Sequence, residues 1–168
     1  SDMIPTNHGK IVEMPEISAD HYITDWEKTH NTSRISVQDG FKISSNYVFR
    51  RLVLDHYGDN PQKFIDRLYG YKLNNAYEFD LEEKGGTKSS VPDPGASSWS
   101  RSTLPSTAIG YSVMETPLNI VTFYNTIANN GKMMKPYLIE SHEKDGRVVK
   151  KFGPEILNAS AFSKATAD

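Results

Sequence analysis

Two amphipathic helical patterns, one directly after the other, constrain the fold of this chain most strongly. The first follows Ser44-Ser45-Asn46 and places its apolar residues on one helical face, at Val48, Phe49, Leu52, Val53 and Tyr57. The second begins at Asn60-Pro61, where asparagine is a favoured cap and proline suits the first helical position, and it ends at Gly70. Because only a short turn around Gly58 separates the two patterns, the sequence predicts an αα-hairpin.

A third helix and a β-hairpin are predicted further along the chain. Thr116-Pro117 provides a cap followed by proline, and apolar residues then recur at three- and four-residue steps as far as Asn130-Gly131. The apolar stripe is wide, which predicts a helix buried on most sides. Asp145-Gly146 lies between the apolar runs Tyr137-Leu138-Ile139 and Val148-Val149, so a β-hairpin is expected over 136–152. A last helix is expected over 158–168, and these elements together predict an α+β fold.

The remaining segments show no persistent hydrophobic period. Proline and glycine, Gly40 among them, punctuate residues 1–43, which are expected to be irregular with short strands at Ile11-Val12 and Tyr22-Ile23-Thr24. Glycine, proline and serine recur from Gly85 onward in residues 71–107, so a long loop is expected there within a helical core over 44–131. A loop of this length in a compact domain is functional or is held by another segment.

Composition excludes several classes of function. The chain has 168 residues, with 19 Lys and Arg against 21 Asp and Glu, so its net charge of −2 gives no electrostatic reason to bind nucleic acid or an anionic membrane surface. It contains no cysteine, which excludes a disulfide scaffold, a cysteine zinc site and a thiol nucleophile. No apolar run approaches the ~18 residues of a membrane helix, and the first residues lack the charged-then-apolar pattern expected of a leader.

The triplet Ser44-Ser45-Asn46 is the strongest candidate for chemistry. Side chains two residues apart in an extended or turn segment point the same way, so the hydroxyl of Ser44 and the carboxamide of Asn46 are expected to project together near the positive end of a helix dipole. Such a pair can relay a proton and hold a substrate amide. The alternative is an ordinary helix cap, because serine and asparagine are favoured cap residues.

Other motifs are weaker. Ser141-His142-Glu143-Lys144 matches the Ser-x-x-Lys pattern of penicillin-recognising enzymes, but that pattern requires a helical turn and this match lies in the predicted hairpin. Gly86-Thr87-Lys88-Ser89 lacks the earlier glycine of a phosphate loop. No pair among the histidines has the spacing of a helical zinc site, so we expect neither a metal nor a cofactor.

Several segments in order resemble the class B penicillin-binding proteins, the peptidoglycan D,D-transpeptidases of cell division and elongation. Residues 37–46 resemble the segment around the family's Ser-x-Asn motif, and the similarity continues through the stretches 104–111, Thr116-Pro117-Leu118, 127–132 and Pro136-Tyr137-Leu138. The resemblance extends from about residue 35 to the end, with details similar to the Bacteroidetes branch. It implies that residues 1–168 are a partial transpeptidase domain, the mostly helical sub-domain of the β-lactamase/transpeptidase-like fold.

The resemblance also implies roles for individual residues. Ser44 would shuttle a proton between a lysine and the leaving amine, and Asn46 would hydrogen-bond the substrate's amide and orient that lysine. The family's Ser-x-x-Lys and Lys-Thr-Gly motifs, which supply the nucleophile with its base and the carboxylate-binding strand, would lie before and after this sequence. We therefore expect a central piece of a transpeptidase, inactive by itself and prone to self-association.

Further expectations follow from the family alone. The complete protein would bind peptidoglycan stem peptides and β-lactams, would work with cell-wall glycosyltransferase or divisome proteins, and would face the periplasm from a membrane anchor outside this sequence. Two alternatives remain open at this point. One is a non-catalytic penicillin sensor or β-lactamase relative, and the other is a stand-alone protein-interaction module.

Overall fold

Helices and short antiparallel strands make up the regular structure of residues 3–5, 34–75, 77 and 89–167, which are the residues that this computed structural model describes. The helices are α1 (Val37–Lys42), α2 (Asn46–Tyr57), α3 (Pro61–Gly70), α4 (Thr103–Thr107), α5 (Pro117–Ala128) and α6 (Lys164–Ala167). The strands are β1 (Met3–Pro5), β2 (Arg34–Ser36), β3 (Met133–Met134), β4 (Ser141–Lys144), β5 (Arg147–Lys151) and β6 (Ile156–Asn158). They pair antiparallel as β1–β2, β3–β6 and β4–β5. The predicted α+β class is confirmed.

The three strongly marked helices lie where the sequence predicts them. The hydroxyl of Ser45 accepts the backbone N–H of Val48 at the start of α2, and the N–H of Gly58 donates to the Leu54 carbonyl at its end. Helix α3 begins at Pro61, and α5 follows Thr116, whose hydroxyl accepts the N–H of Asn119. Local capping chemistry thus sets these boundaries.

The start of the chain is more regular than expected. Residues 34–42 form β2 and α1 instead of an irregular lead-in, while the strands expected at Ile11-Val12 and Tyr22-Ile23-Thr24 lie outside the described residues. The sequence pattern suggests that Gly40 lies in a loop. In the structure it lies buried inside α1, where a Cβ would come within 2.8 Å of the Val48 side chain. Glycine serves here for close helix packing and does not mark a loop.

The second half also departs from expectation in three places. The hairpin strands are β4 and β5, so Tyr137-Leu138-Ile139 is not its first strand. The helix expected over 158–168 is limited to α6, and β6 precedes it. The long loop over 71–107 ends earlier, because its last residues form α4. Each missed element is very short, so its sequence carries little periodicity.

The chain divides into two compact units, Ser1–Ile65 with Pro92–Val113 and Asp66–Val91 with Met114–Asp168. In the first unit, a core of Ile4, Ile35, Tyr47 and Val48 joins the β1–β2 pair to α2. The Tyr47 hydroxyl donates to the Pro5 carbonyl at 2.8 Å, and α4 packs against α2. Ile43, which lies in the turn from α1 into α2, is partly buried against this core.

The second unit is built around α5, which packs polar side chains inward. Asn119, Thr122 and Thr126 are buried, whereas Val121 is 53% and Tyr124 65% exposed. The prediction from the sequence that this helix is buried on most sides is therefore wrong. Thr122 and Thr126 satisfy their hydroxyls by donating to the carbonyls one turn earlier, and Asn119 donates to the Asn75 carbonyl at 2.9 Å.

Three aromatic rings pack together in the second unit. The ring of Tyr71 stacks on Phe162 with centroids 4.7 Å apart, and Phe123 packs edge-on against both. Gly131, at φ +83°, follows α5, where a Cβ would collide with the carbonyl oxygen of Phe162. None of the helices in the described ranges has the length and apolar character required to cross a bilayer.

Candidate active site at the Ser-x-Asn turn

Ser44 lies in the turn between α1 and α2, at the position where the backbone is left-handed. The N–H of Ser44 donates to the Phe41 carbonyl at 3.0 Å, and the N–H of Ser45 donates to the Gly40 carbonyl at 2.8 Å. This pair of bonds is the Schellman ending of a helix, whose left-handed position is usually glycine. Ser44 has φ +55°, a conformation that costs a residue with a Cβ roughly 1 kcal/mol. The backbone of the motif is therefore held in one defined and strained geometry.

Ser45 alone takes the capping role in the motif. Its side chain is completely buried, and its hydroxyl accepts the Val48 N–H at 3.3 Å. The cap that was the alternative interpretation of the whole triplet is therefore present, but it uses the middle residue. The flanking hydroxyl and carboxamide are not needed for it.

Ser44 and Asn46 remain available for other partners. Both residues are exposed, on either side of the buried Ser45. Their side chains form no hydrogen bond with any residue in the described part of the chain. Asn46 is the first residue of α2, so both groups lie at the positive end of a helix dipole, where developing negative charge is stabilised. A hydroxyl that can relay a proton and an amide that can donate and accept are thus presented by one rigid turn.

The surroundings of the turn are partly charged and partly aromatic. Lys42, the nearest cation in sequence, donates to Asp39 at 2.9 Å. The hydroxyl of Ser36 and this lysine lower the pKa of the Asp39 carboxyl. The ring of Phe41 is 71% exposed and packs edge-on against Phe49 at 6.2 Å. Lys42 is therefore paired with Asp39.

A second group of polar side chains lies in the other unit, and no sequence pattern indicates it. Both carboxylate oxygens of Glu115 are buried, and neither has a hydrogen-bond partner of good geometry within the described ranges. Burial raises the pKa of this carboxyl, and the nearby Ser89 hydroxyl offsets part of the rise. Burial also raises the pKa of Tyr77, and the nearby charge of Glu115 raises it further. An acidic residue before a helix cap is ordinary in sequence, so its burial was not foreseeable.

Ser141 and Lys144 do not form a nucleophile and base. They lie on β4, opposite Lys151 and Arg147 respectively, so their side chains point to opposite faces of the hairpin. Three of the residues that resemble a phosphate loop, Gly86-Thr87-Lys88, lie outside the described residues. No cluster of three or more metal-ligating side chains occurs in the parts of the chain that are described.

The chain is similar to a known protein family and to several solved structures. The family model described as "Penicillin binding protein transpeptidase domain" matches residues 3–168. A D,D-transpeptidase domain of a peptidoglycan glycosyltransferase from Eggerthella lenta aligns with a TM-score of 0.71 and 21% identity, over 98% of this chain and 40% of that chain. Penicillin-binding protein 2B from Streptococcus pneumoniae strain 5204 aligns with a TM-score of 0.70 and 18% identity, over 99% and 29% of the two chains.

Penicillin-binding protein A from M. tuberculosis, in a ceftriaxone acyl-enzyme complex, aligns with a TM-score of 0.67 and 23% identity, over 82% of this chain and 29% of that one. The chain thus spans less than half the length of these structures. The comparison with curated proteins found no match. The structural similarities establish the fold that this sequence adopts.

Proposed function

The chain belongs to the penicillin-binding protein transpeptidase domain family, and we propose that Ser44 and Asn46 are the catalytic residues of its Ser-x-Asn motif. The observation that carries the proposal is the division of labour within the triplet. Ser45 closes the helix, while Ser44 is kept in a left-handed conformation with its hydroxyl unpaired among the described residues. Strain at an exposed polar residue is typical of functional positions.

The proposed activity is peptidoglycan cross-linking by serine acyl transfer. A serine from a Ser-x-x-Lys motif attacks the D-Ala-D-Ala carbonyl of a stem peptide, D-Ala leaves, and an amine of a neighbouring stem peptide resolves the acyl-enzyme. In this reaction Ser44 passes a proton between the lysine and the departing amine. Asn46 hydrogen-bonds the substrate amide and helps to orient the lysine.

The chain by itself is proposed to be catalytically inactive. Its one Ser-x-x-Lys match is Ser141–Lys144 on a strand, and the sequence contains no Lys-Thr-Gly. A proton relay without a nucleophile retains almost none of the covalent catalysis. Within a complete domain, we propose class B cell-wall synthesis at the periplasmic face of the inner membrane, with glycosyltransferase or divisome proteins as partners.

Paired substitutions test the roles of the two serines. The experiment uses a protein that carries this sequence together with Ser-x-x-Lys and Lys-Thr-Gly, and it measures acylation by a fluorescent penicillin. Ser44→Ala is expected to slow acylation by about 100-fold or more, because a positioned proton-transfer group contributes on that scale. Asn46→Ala is expected to slow acylation as well, through lost orientation of the lysine and the amide.

Ser45→Ala is the matched control. It removes a cap, so it is expected to cost about 1 kcal/mol of stability, and below the unfolding transition its acylation rate should stay close to that of the parent. Equal slowing by Ser44→Ala and Ser45→Ala would contradict the proposal, because it would mean that the triplet acts only through helix structure. Comparing transfer to an amine acceptor with hydrolysis would separate a transpeptidase from a penicillin sensor or a β-lactamase relative.

A further inference from the structure

The β4–β5 hairpin is exposed along almost its whole length. Every residue of β5 is exposed, as are all residues of β4 except Ser141. A two-stranded hairpin without a covering layer is marginally stable, so its side chains are free to serve a surface function. The hairpin lies within the second unit and is distant in sequence from the Ser-x-Asn turn.

Cross-strand pairing sorts the charges of the hairpin onto two faces. Lys144 lies opposite Arg147, and His142 lies opposite Lys150. His142 and Lys144 are two residues apart on β4 and so share a face, and their cross-strand partners Lys150 and Arg147 lie on that same face. The register shifts between His142 and Glu143 and passes over Val149, so Arg147 and Lys150 share this face, which we call the basic face, although they are three residues apart. The other face carries Glu143, Val148 and Lys151. Glu143 and the exposed Val148 therefore lie away from the basic face.

The basic face carries positive charge that the described residues do not neutralise. The ion pairs found in the described ranges join Lys42 with Asp39, Arg51 with Asp55, and Lys135 with Glu155, so none involves this face. Like charges directly opposite each other destabilise an antiparallel pair. The Lys144–Arg147 pair thus carries a cost that an external anion would relieve.

Phe152 supports one end of the basic face. The ammonium of Lys150 lies 4.3 Å from the centre of the Phe152 ring, and the ring of His142 packs edge-on against it at 5.0 Å. A cation held over an aromatic ring keeps its position more tightly than a free lysine does. The charge at this end is therefore presented in a fixed place.

We propose that the basic face binds an acidic, extended segment of a partner protein. Strand residues rise about 3.3 Å each, so the cations span the length of a few peptide residues and match carboxylates spaced along a short segment. The exposed Val148 lies on the opposite face, so it cannot meet a bilayer together with the cations. The net charge of −2 for the whole chain disfavours a long polyanion.

Charge reversal on the two faces tests the proposal. The probe is a fluorescein-labelled octaglutamate peptide, titrated by anisotropy at low salt into the 168-residue chain. Arg147→Glu and Lys150→Glu are each expected to weaken binding by about fivefold or more, which corresponds to roughly 1 kcal/mol. Lys151→Glu is the matched control, since it makes the same charge change on the same strand but on the other face, and it should weaken binding less than about twofold.

Folding does not confound this test. Arg147→Glu replaces a like-charge cross-strand pair with an opposite-charge pair, so the hairpin should gain stability, which circular dichroism and amide chemical shifts would verify. An equal loss with Lys151→Glu would overturn the proposal, since attraction would then depend on net charge alone. Absence of peptide binding would overturn it as well, and so would stronger binding to phosphatidylglycerol vesicles than to the peptide.

Discussion

Ser44 and Ser45 show how two identical side chains acquire different tasks from the backbone. The turn places Ser45 at the cap of α2 with its hydroxyl buried, and it leaves Ser44 exposed in the left-handed region. The sequence predicted that this triplet would be either a cap or a polar site. It did not indicate which serine would take which position, because that assignment follows from the backbone of the turn after α1, where Gly40 lies against Val48. The catalytic roles of Ser44 and Asn46 remain predictions.

Glu115 is the residue whose substitution should change the pH dependence of stability. Its pKa in the folded state is raised by burial, so the folded chain holds this proton more tightly than the unfolded chain does. The free energy of unfolding is therefore expected to fall as pH rises from the ordinary pKa of a glutamate through the raised value. Glu115→Gln removes this loss and should be more stable than the parent at neutral pH.

Urea unfolding at intervals between acid and neutral pH measures the effect of Glu115. The parent should lose stability relative to Glu115→Gln as pH increases, while the two should converge in acid, where the carboxyl is protonated. Tyr77, which lies within the influence of this charge, titrates only at alkaline pH and should not affect the comparison. Parallel stability curves for the two proteins would contradict the account.

At the scale of elements, local signals predicted the three longest helices, α2, α3 and α5, and failed for α1, α4 and most of the strands. Pro61 and Thr116-Pro117 mark helix starts by chemistry that acts within a few residues, so α3 and α5 were foreseeable. The hairpin was indicated by Asp145-Gly146, although its strands are shifted from the predicted ones. Strands β1 and β2 are three residues each, and their partners lie far apart in sequence, so no periodicity reveals them.

Helix α5 supplies a prediction in which polar residues matter more for stability than apolar ones. Asn119 is 2% exposed, and its amide donates to the carbonyls of Asn75 and Lys72 while its oxygen accepts from the Thr116 hydroxyl. Asn119→Ala leaves buried groups without partners and is expected to lower the free energy of unfolding by about 2 kcal/mol. Val121→Ser, on the exposed face, should change it by less than about 0.5 kcal/mol.

Chemical denaturation of the two α5 variants decides between a polar and an apolar interior for this helix. Asn119 lies in the first turn of α5 and Val121 in the next, and differences in helix propensity of less than about 0.7 kcal/mol are small beside the expected effect. A larger loss for Val121→Ser than for Asn119→Ala would show that the apolar stripe faces the protein interior, as the sequence pattern alone had suggested.

At the scale of the whole molecule, large apolar side chains remain exposed on both units. They include Phe41 and Tyr111 in the first unit and Met114, Tyr124 and Leu138 in the second. Exposed apolar surface of this kind promotes association. The similar solved structures are more than twice as long as the part that this chain matches. We propose that the remaining segments of a complete transpeptidase domain cover some of this surface.

The 168-residue chain is accordingly expected to self-associate with rising concentration. Light scattering over a concentration series would measure this, and Tyr124→Ser should reduce the apparent mass because it removes a ring that is 65% exposed. Lys63→Ser, a polar change on α3, provides the control and should leave association unchanged. A monodisperse monomer at all concentrations would contradict the expectation.

Covalent labelling by a fluorescent penicillin tests the central claim most directly. The chain alone should remain unlabelled, whereas a protein that joins it to Ser-x-x-Lys and Lys-Thr-Gly segments should take up one label per molecule, which an unlabelled β-lactam competes away. Competable labelling of the chain alone, or no labelling of the longer protein in its folded state, would contradict the account.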